Sequence, residues 1–446
     1  MRKKSKSQMP LTPPASDHPK AIELETISDM LDQNPIILDL IMEDFNRGRK
    51  RKRSGAHGMT ADQVLRAALV KQMFGFSYRD LAFHLSDSYS FSRFVRIGLA
   101  GRAFKHSVLA KNIKMISPET WEEINRVLVC WAKDQDIEKG RQVRIDCTVV
   151  ETDIHPPSDS SLLYDSVRVL SRLLGQADGR WGRLIYQDHC RRAKRRMMNI
   201  MNARKQAVRV NAYRDLIKVT NKTAGYAEEA IVRLEQVSDF EAAGYVVDLK
   251  HYLDLTHRVI DQAERRVFGG EKVPAGEKVV SIFEPHTDVI VKDRRDTYFG
   301  HKVCLCVGAT QLITDCLITS GNPADTDLTV TMLDRQNEIY GRYPLKAALD
   351  GGFASKENLK AAKSKQIKDV CFAKKRGLNV LDMCRSEWVY KRLLNFRAGV
   401  KSVISWIKRS LGFDRCPWKG PRSFGSYVWL AVVSANLRTL AGLQTA

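Results

Sequence analysis

Residues 143–150 read VRIDCTVV and set one carboxylate, Asp146, within a run of apolar and β-branched residues. Such residues favour a buried or half-buried strand, where an unpaired charge costs several kcal/mol. Asp146 therefore needs a partner, which is a basic side chain, a hydrogen-bond network or a metal ion. A second acid in a similar setting, Asp350, follows the run 346–349. We therefore begin from the hypothesis that the two acids share a metal ion.

Composition indicates a folded protein with a polyanionic partner. The chain has 446 residues, of which 43% are hydrophobic and 28% charged, so about two to three globular domains are expected. Its 73 Lys and Arg against 51 Asp and Glu give a formal net charge of +22. This excess favours nucleic acid as the partner over a generally basic soluble protein.

Cysteine usage and the apolar pattern indicate a cytoplasmic protein. The nine cysteines include no C-x-x-C pair, so buried free thiols are expected rather than a zinc site. The basic start is not followed by an apolar core and is not a signal peptide. No apolar run approaches membrane-spanning length, and no membrane partner is expected.

The N-terminal part predicts an arm followed by a DNA-binding domain. Residues 1–20 are proline-rich and predict a disordered arm, and residues 21–138 predict a helical domain. Thr60 can cap a helix that Gly75 ends, and a second helix follows, as in a helix-turn-helix-like unit. The candidate DNA contacts are Arg49 and Arg51 in the basic cluster 46–53, which a solvated linker explains equally well, and Arg79 and Arg93 on the helices.

The remaining chain predicts an α/β domain interrupted by helices. Residues 159–278 predict an all-α insertion, whose basic helix with Arg191 and Arg195 is either a solvated face or a DNA contact. Strand signals return at 279–282, 288–291, 298–307 and 312–319, and are followed by a helix, a strand ending in Asp350, a helix, a strand at 369–373 and a long helix.

Without the insertion, this order is that of a ribonuclease H-like fold, a mixed sheet flanked by helices, formed by residues 139–158 and 279–440. The first and fourth strands of such a sheet are neighbours. Asp146 and Asp350 are therefore expected to lie together, although 204 residues separate them.

Two neighbouring carboxylates repel and raise each other's pKa unless a cation lies between them. Oxygen ligands suit Mg²⁺ or Mn²⁺, and a two-metal site catalyses in-line phosphoryl transfer. Gly351 and Gly352 would let a phosphate backbone approach closely. The alternative for the Asp-Gly-Gly segment is a simple turn between a strand and a helix.

Six segments carry a resemblance to a known family: RIDCTVV at 144–150, FEPHTD at 283–288, DTYFGHK at 296–302, GNPAD at 321–325, DGGF at 350–353 and NFRAGV at 395–400. Together and in this order they resemble bacterial insertion-sequence transposases of the DDE class.

The resemblance implies an enzyme that cuts and rejoins DNA, with an N-terminal DNA-binding part. Asp146 and Asp350 match the family's first two catalytic acids and would bind two Mg²⁺ or Mn²⁺ ions. The implied partners are the terminal inverted repeats of the element, target DNA and a second copy of the chain.

The chain departs from the family at the third catalytic position. A glutamate follows the Phe-Arg-Ala-Gly-Val pattern in the family, whereas Lys401 stands there in this chain. An ammonium group cannot bind Mg²⁺, although it can stabilise an attacked phosphate. Three hypotheses follow: an active transposase, an inactive or domesticated DNA-binding copy, and a host nuclease with an Asp/Asp/Lys site.

Further candidate DNA contacts lie near the predicted catalytic centre. His301 and Lys302 lie on the strand predicted at 298–307, Arg397 and Lys408 lie on the last predicted helix, and Arg415 follows it. For His301 a structural role is the alternative, and for each basic side chain the alternative is a solvated surface.

Overall fold

The computed structural model describes residues 16–47, 58–98, 101, 104–292 and 296–445. Most of the predicted arm, together with Arg49 and Arg51, lies outside these residues. The described chain divides into two compact units, residues 1–151 with 301–446 and residues 152–300.

In the described residues before the first strand there are seven helices. They are α1 Pro19–Asp32, α2 Ile36–Asn46, α3 Ala61–Phe74, α4 Tyr78–Asp87, α5 Tyr89–Phe94, α6 His106–Ile113 and α7 Pro118–Asp134. The predicted limits of α3 are confirmed. Thr60 and Gln63 form a capping box at its start, and Gly75, with φ +67°, ends it in the left-handed conformation.

The second unit is built mainly from helices. It follows strand β1, Gln142–Thr152, which lies in the first unit except for its last residue, and it contains α8 Asp159–Ala177, α9 Cys190–Asn202, α10 Gln206–Leu234 and α11 Phe240–Val267. The helices α8 to α11 share one apolar core. The prediction of a strand at 279–282 is wrong. Val279 instead packs in this core, and its backbone N–H donates to Gln262 Oε1 at 3.0 Å, which takes the place of a strand partner.

The remaining elements complete the sheet and the helices beside it. They are β2 Asp288–Lys292, β3 Asp296–Val307, β4 Ile313–Ile318, α12 Asp325–Tyr340, β5 Lys346–Leu349, α13 Lys356–Ser364, β6 Asp369–Phe372, α14 Val380–Met383, α15 Glu387–Ser410, β7 Arg415–Cys416 and α16 Pro421–Thr445. Helix α16 is apolar nearly all round and packs against α7, α3 and α1 in the core of the first unit. None of the described helices is both long enough and apolar enough to cross a membrane.

The strands form a mixed sheet in the order β2-β3-β1-β5-β6, with β4 on β3 and β7 on β1. The hairpin β2–β3 and the pair β3–β4 are antiparallel, whereas β1, β5 and β6 run parallel. The predicted adjacency of the Asp146 strand and the strand that ends before Asp350 is therefore confirmed.

Candidate active site

Strands β1 and β5 bring the two acids to the same level of the sheet. Their parallel register pairs Gln142 with Lys346 and ends with Ile145 opposite Leu349. The next residues are Asp146, which lies within β1, and Asp350, which directly follows β5. The two carboxylates are thus brought together beside the carboxyl end of β5.

The glycines after Asp350 are needed for close packing. Gly351 and Gly352 form a 3₁₀ turn directly after the acid. A Cβ on Gly351 would lie 2.7 Å from the Lys374 side chain, and one on Gly352 would overlap the carboxylate of Asp325. The space beside these glycines is therefore taken by protein side chains.

An arginine from α15 lies between the two acids. Arg397 Nη2 is 2.5 Å from Asp350 Oδ1 and 3.6 Å from Asp146 Oδ2. The Arg397 and Asp146 side chains are each only 12% exposed, whereas that of Asp350 is 38% exposed. The residue predicted as a DNA contact thus points at the candidate catalytic acids.

Burial controls the protonation of Asp146. Burial, and to a smaller extent the neighbouring charge of Asp350, raise the pKa of Asp146 from 3.8 to about 6. The charges of Arg397 and Lys401 and a hydrogen bond from the Cys147 backbone N–H oppose this effect. Desolvation therefore outweighs the attraction of the two cations.

A second arginine, Arg144, docks α15 against the sheet. It lies two residues before Asp146 and so on the same side of β1. Its Nη1 donates to the Phe396 carbonyl at 3.0 Å, and its guanidinium lies 4.6 Å from the centre of the Phe396 ring. A Cβ at position 399 would overlap the guanidinium of Arg144, so a larger residue there would displace this arginine.

This docking residue was missed in the sequence, although its position on the Asp146 face of the strand was a signal. It fixes the part of α15 that carries Arg397 and Lys401. Lys401 itself is exposed, one helical turn after Arg397, and near enough to Asp146 for its charge to lower the pKa of that acid.

The GNPAD segment forms a second ionic contact. Lys302 Nζ donates to the Pro323 carbonyl at 2.6 Å and to Asp325 Oδ1 at 3.0 Å. His301 is buried, and its ring packs edge-on against Phe424 with 4.7 Å between the ring centres. Both predicted DNA contacts thus have partners inside the protein.

The other predicted DNA contacts are distributed over several elements. Arg79 is exposed on α4, Arg93 is paired with Glu25 at 2.8 Å, and Lys408 with Asp414 at 3.0 Å. The exposed Arg415 lies in β7.

In the second unit, Arg191 and Arg195 are exposed on α9. The neighbouring Arg192 and Arg196 are both paired with Asp215 of α10. The ion pairs to Asp215 therefore use one side of α9, and the predicted pair of arginines lies beside it.

The residues at the acidic pair do not fit a two-metal site. Among the residues that the structure describes, no cluster of three or more His, Cys, Asp or Glu side chains could hold a metal ion. Asp146 and Asp350 are instead ion-paired with a guanidinium, and Lys401 is expected at the family's third ligand position. A divalent ion here would meet two carboxylates and two cations.

Comparison with known proteins gives two matches. Residues 278–437 match a family model described as Transposase DDE domain, and residues 14–115 match one described as Transposase domain (DUF772). The first match contains Asp350, Arg397 and Lys401, and Asp146 lies between the two matched segments. No curated protein and no solved structure matches the chain.

A DDE domain implies the use of divalent metal ions in general, and a transposase acts on DNA. The two matched segments do not overlap and together span more than half of the chain. The chain therefore belongs to the DDE-class transposases of insertion sequences.

Proposed function

We propose that the chain binds the DNA ends of its insertion element and that its acidic pair, as it stands, does not cleave DNA. The observation that carries the second part is the position of Arg397. Its guanidinium is bound to both Asp146 and Asp350, and Lys401 replaces the third acid. Neither cation can bind a metal ion, so the centre has two ligands where the family has three.

The DNA-binding part of the proposal is supported by charge and by the helices of both units. The formal net charge of +22 suits a polyanion, and Arg79, Arg191 and Arg195 are exposed on helices. We propose that α3 and α4 form the helix-turn-helix-like unit and that the sheet is ribonuclease H-like. Terminal inverted repeats, bound by a homodimer, are the proposed substrate.

An active transposase is the second candidate. The observation that favours it is the adjacency of Asp146 and Asp350 on parallel strands, which is how a pair of metal ligands would be placed. In this candidate Lys401 would contact the attacked phosphate, and Mg²⁺ or Mn²⁺ would be required.

The test combines DNA binding with cleavage by the full-length protein. Gel-shift titration with element-end DNA should show tighter binding than a scrambled duplex of equal length, with affinity that falls as salt increases. In Mg²⁺ or Mn²⁺ the wild type should give no more product than Asp146→Ala or Asp350→Ala.

Three outcomes would contradict the proposal. Equal affinity for end and scrambled DNA would remove the end-binding function. Wild-type cleavage that is lost in both alanine variants would establish the active transposase, and cleavage of DNA without element ends would indicate the host nuclease.

A further inference from the structure

We infer that Arg397 is an internal cation that takes the place of a divalent metal ion between Asp146 and Asp350, and that Lys401 keeps it there. The inference rests on the proposed absence of cleavage and explains it physically. It predicts that the acidic pair is assembled without metal and that one substitution, Lys401→Glu, creates metal affinity.

The contacts of Arg397 support its role as the counter-ion. Its side chain is nearly buried, and neither its Nε nor its Nη2 makes a hydrogen bond within the described ranges, so its charge depends on ion pairing. A buried guanidinium needs compensating negative charge. Asp350 at 2.5 Å and Asp146 at 3.6 Å supply that charge as ion-pair partners.

The formal charges at the centre lead to the same conclusion. The two carboxylates and the cations of Arg397 and Lys401 sum to zero, and a divalent ion would raise the total to +2. With glutamate at 401 the same four positions would carry −2, which a single divalent ion neutralises. The residue at 401 therefore determines whether the centre attracts or repels a metal ion.

Helix geometry explains how residue 401 acts on Arg397. The two residues are four apart on α15 and so lie on the same face of the helix. A lysine at 401 repels the guanidinium and favours its position on the acids. A glutamate at 401 would attract the guanidinium as an i,i+4 pair and offer a third carboxylate beside Asp146 and Asp350.

The position of this helical turn is independent of the ions, because Arg144 docks α15 on β1. Its hydrogen bond to the Phe396 carbonyl and its packing against Gly399 hold the turn that contains Arg397. Exchange of Lys401 for glutamate thus changes the charge at a fixed place rather than moving the helix.

The experiment measures metal binding by the full chain without DNA. Mn²⁺ binding is followed by the loss of the free-ion electron paramagnetic resonance signal, and thermal unfolding is recorded with and without Mg²⁺. Lys401→Glu is expected to bind Mn²⁺ on the order of tenfold tighter than the wild type. Its melting temperature should rise with Mg²⁺, whereas that of the wild type should not.

Two control variants isolate the effect. Lys391→Glu makes the same charge change at an exposed position of α15 and should leave Mn²⁺ binding at the wild-type level. Adding Asp350→Asn to Lys401→Glu should abolish the gained affinity.

The role of Arg397 as counter-ion is tested by stability in the absence of metal. Arg397→Gln should melt at a lower temperature than Arg392→Gln, because Arg392 is exposed whereas Arg397 compensates the acids.

Two results would overturn the inference: Mn²⁺ binding by the wild type that Asp350→Asn removes, or a Lys401→Glu protein that binds no more Mn²⁺ than Lys391→Glu. Since Lys401 is exposed, this comparison remains available even if Arg397→Gln does not fold. No measurement here involves DNA. Failure of end binding or detection of wild-type cleavage would therefore contradict the proposed function separately.

Discussion

Replacing Asp146 by asparagine should stabilise the protein at neutral pH. Asp146 is only 8% exposed, and its pKa in the folded protein is about 6, against an ordinary value of 3.8. The folded state therefore holds this proton more tightly than the unfolded state does. Asparagine is close to aspartate in shape and cannot ionise, so Asp146→Asn removes the cost of the buried charge.

The size and pH range of the effect follow from the two pKa values. At about 1.4 kcal/mol for each pKa unit, the difference between 3.8 and about 6 is worth roughly 3 kcal/mol. Below pH 3.8 the carboxyl is protonated in both states and contributes nothing. Between pH 3.8 and 6 the folded state binds more protons, so wild-type stability falls as pH rises, and above pH 6 the full cost remains.

Urea denaturation followed by tryptophan fluorescence, repeated between pH 3.5 and 8, measures this difference. Asp146→Asn should match the wild type at the acidic end and exceed it by up to roughly 3 kcal/mol above pH 6. The matched control is Asp382→Asn, an exposed aspartate of the same unit, which should show no such divergence. An Asp146→Asn protein that is less stable than the wild type at pH 7 would refute the reasoning, because the cations would then outweigh burial.

Two further substitutions test the packing of the first unit. Gly399→Ala should lower the free energy of unfolding by about 1–3 kcal/mol in urea denaturation, because the new Cβ overlaps the buried Arg144. Gly442→Ala, which has open space beside it, should leave the stability unchanged or raise it. Equal effects at the two glycines would contradict the overlap. Arg335→Met should lower the free energy of unfolding by about 3–5 kcal/mol, because it leaves the buried Asp315 without the arginine that binds both its oxygens. A loss below about 1 kcal/mol would show that this ion pair is not needed for stability.

The meeting of Asp146 and Asp350 could be predicted from sequence because it depends only on strand order and register. A β-branched run identifies each strand, and parallel neighbours align their carboxyl ends whatever the inserted helices do. The prediction of a strand at 279–282 was wrong because a short apolar run does not reveal whether it packs beside a strand or in the core of a helical unit.

The orientation of the Arg397 side chain was not predicted from the sequence, because an arginine on a helix that packs against a sheet can point to solvent or to the sheet. The pattern contained one unused signal. Arg397 lies on the same helical face as the buried Val400 and the partly buried Ile404, so the face that packs inward also carries the arginine. The need for glycine at 399 could not be recognised in the same way. Its partner Arg144 lies more than 250 residues earlier and became apparent only in the fold.

The expected replacement of the family's glutamate by Lys401 is physically consistent with the retention of Asp146 and Asp350. Two acids brought together by strand pairing destabilise a fold unless a cation lies between them. If the exchange had only removed a metal ligand, the acids would remain as an uncompensated cost. Because the new residue is itself a cation and favours Arg397 on the acids, part of this cost is offset within the chain, although the pKa of Asp146 stays raised. In the proposed function, the same substitution removes metal-dependent chemistry and the need for metal in folding, and it leaves the exposed basic helices of both units unchanged.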